Sequence, residues 1–392
     1  MTGMRNTTLM GALLLVLALA LAACGEGGVG EGAEGELTEE APAGTGAEDA
    51  ATEAAEESTM DDGATDAAQT EAATEEESAE GEGDAVVEGD GDVRVCMMPK
   101  LIGIPYFNAS GEGAAEAAEE LGIALEYNGP TQAQAADQVQ MIEQWTSQGC
   151  DAISVAANDP DALAPAMTAA GEAGIATSAW DADVARDARE VFVNQATFEG
   201  IGQTLVEIMA EQTGGEGEFL VVTGSLTAPN QNAWLEEMEA HMAEAYPDMS
   251  IAAVEPGEED LALGIEVTTS YLQANPDTAG VFAITTVALP GAAEAVEQLG
   301  LTGEVPVTGL GVPSENAVYI ESGSIVEFAL WNPVDLGYLA VHVANAQIAG
   351  ELPTSGTFEA GRLGEVELIA EDEILLGPPT VFNADNIGEF DF

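Results

Sequence analysis

From about residue 93 onward, short apolar runs alternate with longer stretches rich in Ala and Glu. The runs Val93 to Met98, Ala124 to Tyr127, Ala152 to Ala156 and Ile175 to Ser178 have the length and composition of strands. Between them Gly111 to Leu121, Ala133 to Gln148 and Leu163 to Ala170 read as helices. In the first of these, Ala114, Ala115, Ala118 and Leu121 supply an inner face. The alternation restarts after Asn194. Helices are predicted over Phe198 to Gln212, Asn232 to Tyr246, Ile265 to Gln273, Gly291 to Leu299 and Leu336 to Gln347. Strands are predicted over Glu218 to Val222, Ile251 to Val254, Gly280 to Ala283, Val305 to Gly309 and Val326 to Leu330, with short strands and turns from Gly356. Strand–helix alternation of these lengths builds a mostly parallel sheet covered on both faces. Two such units in 300 residues predict an α/β molecule of two similar three-layer lobes, with crossovers of the right-handed sense.

The first 24 residues follow a different pattern. Arg5 precedes an apolar run, Leu9 to Leu21, that is too short for a comfortable membrane span. It ends in Leu21-Ala22-Ala23-Cys24, and small residues before a Cys at this place resemble the lipobox of bacterial lipoproteins. The resemblance implies a signal peptide over 1–23, cleavage before Cys24 and a lipid on its sulfur. Residues 24–92 are Gly, Ala, Thr and Glu with almost no large apolar side chains, too little to offset ordering entropy. They are expected to form a disordered acidic tether that keeps an extracytoplasmic domain near the cell membrane.

The chain of 392 residues carries 72 acidic and 6 basic residues, a formal net charge of -66. Residues 25–92 hold 24 of the acids, and residues 93–392 hold the other 48 with 5 of the basic residues. Nucleic-acid binding needs a basic footprint, which is lacking. Electrostatic attachment to anionic lipid is excluded on the same ground, so membrane contact would run through the lipid anchor only. A salt-adapted surface is the favoured reading of the balance, with a plain preference for Glu over Lys as the alternative. Beyond Cys24, Cys96 and Cys150 sit in apolar contexts and are expected as buried free thiols; a disulfide suits that compartment, but sequence alone does not position the pair.

In open α/β sheets, ligands sit outside the carboxyl ends of the strands. Here those ends carry Pro99-Lys100 with Pro105-Tyr106-Phe107, Asn158-Asp159-Pro160-Asp161, Trp180-Asp181-Ala182-Asp183, Asn230-Gln231-Asn232, Thr285-Thr286-Val287 and Trp331-Asn332-Pro333. Amides, carboxylates, an ammonium and aromatic faces on one edge are what a neutral polyhydroxylated ligand needs. Lys100 is the only Lys in the chain, which marks it as a cleft cation offsetting Asp181 rather than a stray surface residue or an interlobe ion pair. Trp180 and Trp331 offer platforms for the apolar side of a ring, although either can instead pack a hinge. The expected ligand set is Lys100, Phe107, Asp159, Trp180, Asp181, Asn230, Gln231, Thr286, Trp331 and Asn332. Asp183 is a weaker candidate. Asp161 is equally readable as a cap for the helix near Leu163, and Asn230 as a cap for the helix from Asn232.

No phosphate-loop motif occurs, and Gly111-Glu112-Gly113 is misplaced for a dinucleotide fingerprint. His241 and His342 stand alone within predicted helices, so a His/Cys metal site has no support. Nothing selects an acid–nucleophile pair among the carboxylates. A binding protein without cofactor, metal or catalysis is expected.

These stretches, together with Ser154 to Leu163, Val307 to Ser314, Phe328 to Tyr338 and Thr357 to Arg362, resemble the type I substrate-binding proteins of bacterial sugar ABC transporters, in particular the rhamnose-binding proteins. The resemblance covers essentially all of 93–392. It implies two lobes joined by three hinge crossovers, near 194–195, 330–332 and 352–358. Lobe one would be 93–195 with 331–354, and lobe two 196–330 with 355–392. It implies a monomer that encloses a small sugar and docks on an ABC permease and ATPase. Sensor proteins use the same module to present ligand to a membrane receptor. The related autoinducer-2-binding branch shares Lys100, Asp181, Gln231 and the ending Phe382 to Phe392. That branch has Asp, Pro and Ala where this chain has Asn230, Ile284 and Thr286, and the departures favour rhamnose or a similar deoxy-sugar.

Overall fold

The computed structural model describes residues 85–89 and 93–392. The signal peptide, Cys24 and the tether up to residue 84 lie outside the described residues. In chain order the elements are β1 Ala85–Val87, β2 Arg94–Met98, α1 Pro105–Leu121, β3 Ala124–Tyr127, α2 Ala135–Gln148, β4 Ala152–Val155, α3 Pro160–Glu172, β5 Ala176–Trp180 and β6 Val191–Asn194. They continue with α4 Phe198–Thr213, β7 Glu216–Thr223, α5 Pro229–Ala245, β8 Asp248–Pro256, α6 Leu261–Ala274, β9 Gly280–Ala283, α7 Ala288–Leu299, β10 Val307–Gly309, α8 Pro313–Ser322 and β11 Glu327–Leu330. The chain closes with α9 Pro333–Ala349, β12 Gly356–Glu359, β13 Glu365–Ala370, β14 Glu373–Leu375 and β15 Thr380–Asn383.

One sheet has the order β1-β3-β2-β4-β5-β6-β14-β13-β12, and its strands from β3 to β14 are parallel. Its central strand β2 alternates between two cores. Val95 and Met97 face one, Cys96 and Met98 the other, as a sheet covered on both sides requires. The second sheet has the parallel order β10-β9-β7-β8, and a bridge between Leu310 and Ala329 leads on to the antiparallel pair β11-β15. Five of the helices begin on Pro, which lacks the amide hydrogen a first turn leaves unpaired and has its φ preset for the helix. Three of these starts, at Pro105, Pro229 and Pro333, turn the chain just beside Lys100, Asn230 and Trp331. The helices α1 and α9 meet closely: a Cβ at Gly113 would lie 1.8 Å from the Val334 carbonyl oxygen, and one at Gly337 would lie 1.9 Å from that of Ser110. The Gly-x-Gly of 111–113 is therefore a packing feature.

The two-lobed α/β architecture expected from the alternation is present, with four differences. Strand β1 lies within the stretch assigned to the tether; its short apolar run Ala85-Val86-Val87 pairs antiparallel with β3. Strand β6 and helix α8 were not anticipated. The segment 356–375, assigned to lobe two, extends the sheet of lobe one, because β14 pairs in parallel with β6. The chain therefore makes its third passage between the sheets after Leu375, where Gly377-Pro378-Pro379 ends strand pairing, rather than near 352–358. Finally, Cys96 and Cys150 are not free thiols but a disulfide, with 6.0 Å between their Cα atoms. Cys150 lies just before β4, the neighbour of β2, and both side chains fall on the same face of the sheet.

Candidate functional site

The carboxyl ends of both sheets face a common cleft. Lys100 enters from the loop after β2. Two buried amides hold that loop: Gln138 of α2 donates to the carbonyls of Pro99 (3.1 Å) and Ala156 (2.8 Å), and Asn158 donates to the Lys100 carbonyl at 2.8 Å. Lys100 is 5% exposed, and its ammonium donates to Asn230 Oδ1 at 2.9 Å. Asn230 is thus not the cap of α5, whose N-cap is Ala228; its Oδ1 also accepts from the Gln231 amide at 2.9 Å.

Asp181 follows β5 in a left-handed backbone conformation, φ 62°, uncommon for a residue other than Gly. Its carboxylate accepts from the Tyr106 hydroxyl at 2.6 Å, and that hydroxyl accepts from Trp331 Nε1 at 2.8 Å. Burial pushes the Asp181 carboxyl above the usual range, against the pull of Lys100 and the Tyr106 hydrogen bond. Burial, reinforced by Asp181, likewise pushes the Tyr106 phenol well above its ordinary value. Gln231 Oε1 accepts from the Thr223 hydroxyl (2.6 Å) and the Gly224 amide (2.9 Å), so its Nε2 is turned toward the cleft and meets Glu259 at 3.2 Å. Burial raises the Glu259 carboxyl, opposed first by Lys100. The cleft also has an apolar lining: Ile104, Phe107, Trp234, Ile284, Leu310, Leu330 and Trp331. Trp234 and Trp331 lie 5.9 Å apart between ring centres.

Of the ten expected ligand residues, Lys100, Phe107, Asp181, Asn230, Gln231, Thr286 and Trp331 line this cavity. Trp180 does not. It is fully buried beneath Phe107, its ring centre 5.8 Å from that ring, and supports the wall from behind. Asn332 does not line it either, because its side chain caps α9 by accepting from Val334 (2.9 Å) and Asp335 (3.3 Å). Asp159 faces an adjoining space that shares Lys100, Gln231 and Glu259 with the cleft. It also caps α3 through the amides of Asp161 (3.0 Å) and Ala162 (2.9 Å), the role given to Asp161 from sequence. Asp183 lies in an ion pair with Arg189. Sequence reasoning missed Tyr106, Trp234 and Glu259. Tyr106 stands in a stretch already singled out, but Glu259 had no signal among so many acids.

An ammonium, two carboxylates and two amides thus share one cavity with aromatic and aliphatic side chains. Such a mixture offers hydrogen-bond partners for hydroxyl groups and apolar contact for carbon-bound hydrogens. The family model described as periplasmic binding protein domain matches residues 95–352. The chain is 34% identical to an ABC transporter solute-binding protein from Clostridium phytofermentas with bound L-rhamnose, with a TM-score of 0.73 over 76% of this chain and 97% of that one. It is 28% identical to LsrB from Clostridium saccharobutylicum in complex with AI-2, with a TM-score of 0.73 over 76% of this chain and all of that one (100%). It is also 24% identical to the D-allose-binding periplasmic protein of Escherichia coli over 255 residues, 62% of this chain and 80% of that relative.

Proposed function

The chain belongs to the periplasmic binding protein domain family, whose members bind solutes without catalysis, and from that premise we propose that it captures a monosaccharide in the interlobe cleft and delivers it to an ABC permease. The observation that carries this reading is the mixed lining of the cleft: Lys100, Asp181, Asn230 and Gln231 share it with Trp331, Trp234, Leu310 and Leu330. The preferred ligand is L-rhamnose or a similar deoxy-sugar. Such a ring has hydroxyls for the polar edge and a methyl group for the aliphatic wall that Ile284 completes. The relative holding L-rhamnose supports the same choice. Anchoring at the membrane would come from a lipid on Cys24, which follows the apolar run of the leader. Lobe closure around the sugar would create the surface the permease reads, with ligand affinity shifting the balance toward the closed form.

Isothermal titration of the full chain in high salt with L-rhamnose, D-ribose, D-allose and autoinducer-2 tests the proposal. Saturable one-to-one binding of L-rhamnose above the other compounds is expected. Binding of autoinducer-2 alone would overturn the choice of ligand drawn from Asn230, Ile284 and Thr286. Binding of none would overturn the reading itself.

A further inference from the structure

Three residues other than Gly have left-handed backbone conformations among those described: Asp181, Glu258 and Glu259, with φ of 62°, 51° and 52°. Such conformations cost energy and persist where the surroundings impose them, often around ligands. Two of the three carry the carboxylates of the cleft. Glu259 sits in the tight turn between β8 and α6, which is tied to the end of β7 by the Gly257 amide donating to the Thr223 carbonyl (2.7 Å) and the Glu258 amide to that of Gly224 (2.8 Å). The neighbouring loop leaves room for the Glu259 carboxylate. A Cβ on Gly224 would lie 2.1 Å from Glu259 Oε1 and 3.1 Å from Gln231 Nε2. The Gln231 amide holds the carboxylate from one side, and Lys100, Gln231 and Glu259 together stand where the aromatic cleft meets the polar space beside it.

We propose that Glu259 is a specificity-determining residue of the cleft, one that accepts hydrogen bonds from ligand hydroxyls and turns away ligands bearing an acid group; this rests on the monosaccharide-binding function proposed above. One ammonium, Lys100, faces two carboxylates, so a uronate or sugar phosphate would bring a further negative charge into a site that already holds an excess. A neutral sugar instead supplies hydroxyl donors, which carboxylates accept more strongly than neutral groups do. The glycine at 224 and the two strained residues are then features that place one carboxylate.

The test titrates the full chain, Glu259→Gln and Gly224→Ala with L-rhamnose and with D-galacturonate. Glu259→Gln keeps the shape and the contact to Gln231 but removes the charge. Its expected effect is at least a tenfold loss of L-rhamnose affinity, with the preference for L-rhamnose over D-galacturonate narrowed at least tenfold. Gly224→Ala keeps Glu259 but displaces the flexible end of its side chain, and it should lose affinity in the same direction. In the double variant the two losses should fall short of adding, as for residues that share one contact. Glu236→Gln, on the exposed side of α5, should bind as the unsubstituted chain does. Glu259→Gln binding L-rhamnose within twofold of the unsubstituted chain would overturn the proposal. So would a loss of affinity with no change in the preference against D-galacturonate, which would make Glu259 a positioning residue for Gln231. If the unsubstituted chain bound neither compound, the proposed function would fall first and this inference with it.

Discussion

Two places in the molecule set one cation between two carboxylates, and they do opposite things. At the outer end of the first sheet Arg189, only 4% exposed, forms a two-point pair with Asp183 (2.6 and 2.9 Å) and a further bond to Asp372 at 2.6 Å. Arg186 adds its own pair to Asp372. In the cleft Lys100 stands near Asp181 and Glu259, yet its hydrogen bond goes to the amide oxygen of Asn230. The consequences for the acids differ. Burial raises Asp372 less than Arg186 and Arg189 lower it, so it stays below the ordinary range. Asp181 and Glu259 are raised, because burial outweighs the more distant ammonium. A guanidinium fork satisfies carboxylates geometrically and fastens 372 to the loop after β5; a point-charged ammonium on a flexible stem leaves acceptors available. The first cluster is built for stability and the second for a ligand.

The largest effect that would break this contrast is on the outer cluster. Arg189→Ala leaves partly buried Asp183 without its partner and Asp372 with Arg186 alone. It should cost about 3 kcal/mol of stability in urea unfolding, the low end for breaking a buried pair, while leaving sugar affinity within twofold. A matching loss of affinity would show the two clusters to be coupled. Asp181→Asn should do the reverse. Losing a charge-assisted acceptor should weaken sugar binding by about 1.5–3 kcal/mol in calorimetry, while the empty protein becomes more stable at neutral pH. Asn230→Asp sharpens the cleft side. A carboxylate on Lys100 Nζ should reduce L-rhamnose affinity by about 1 kcal/mol and create measurable affinity for autoinducer-2.

The smallest effect is in the pH dependence. A carboxyl raised in the fold binds its proton more tightly there than in the unfolded chain, so its cost to stability shrinks as pH falls through the folded value. The groups facing Asp181 are Lys100, Tyr106, Tyr127 and Glu259. The stability gained by Asp181→Asn at pH 7 should therefore dwindle toward pH 5. Asp372 behaves conversely: its stabilisation is full above the unfolded carboxylate range and is lost only as pH falls through its lowered value. Urea midpoints of Asp181→Asn and Arg189→Ala, each against the unsubstituted chain at pH 7 and 5, separate these slopes.

The contrast also explains what could be read from the sequence. Strand–helix alternation depends on burial on both faces, and the inner strands of both sheets show it. β1 is short and partly exposed and had no local pattern; the short strands of 356–375 were legible, but the sheet they join was not, because it is set by distant partners such as Arg186 and Arg189 on Asp372. Lys100 was legible because its residue type occurs once. Glu259 was not, because a Glu among 72 acids carries no signal until the backbone brings it to Lys100. Asp159 and Asn332 each stand directly before a Pro that opens a helix, the place for a cap, and both cap there; Asp159 also lines the space beside the cleft, and Asn332 does not line the cleft. Trp180 and Trp331 are alike in sequence. Only the direction of each strand end puts Trp331 in the cleft and Trp180 behind Phe107.

The most direct measurement is calorimetric titration of the full chain and of Lys100→Ala with L-rhamnose at high salt. The account predicts saturable one-to-one binding by the unsubstituted chain. It predicts affinity about 10- to 150-fold weaker in a folded Lys100→Ala, the range expected for a buried charge-assisted hydrogen bond. Equal affinity in the two proteins would contradict the role of the cleft cation, and the absence of any sugar binding by the unsubstituted chain would contradict the account as a whole.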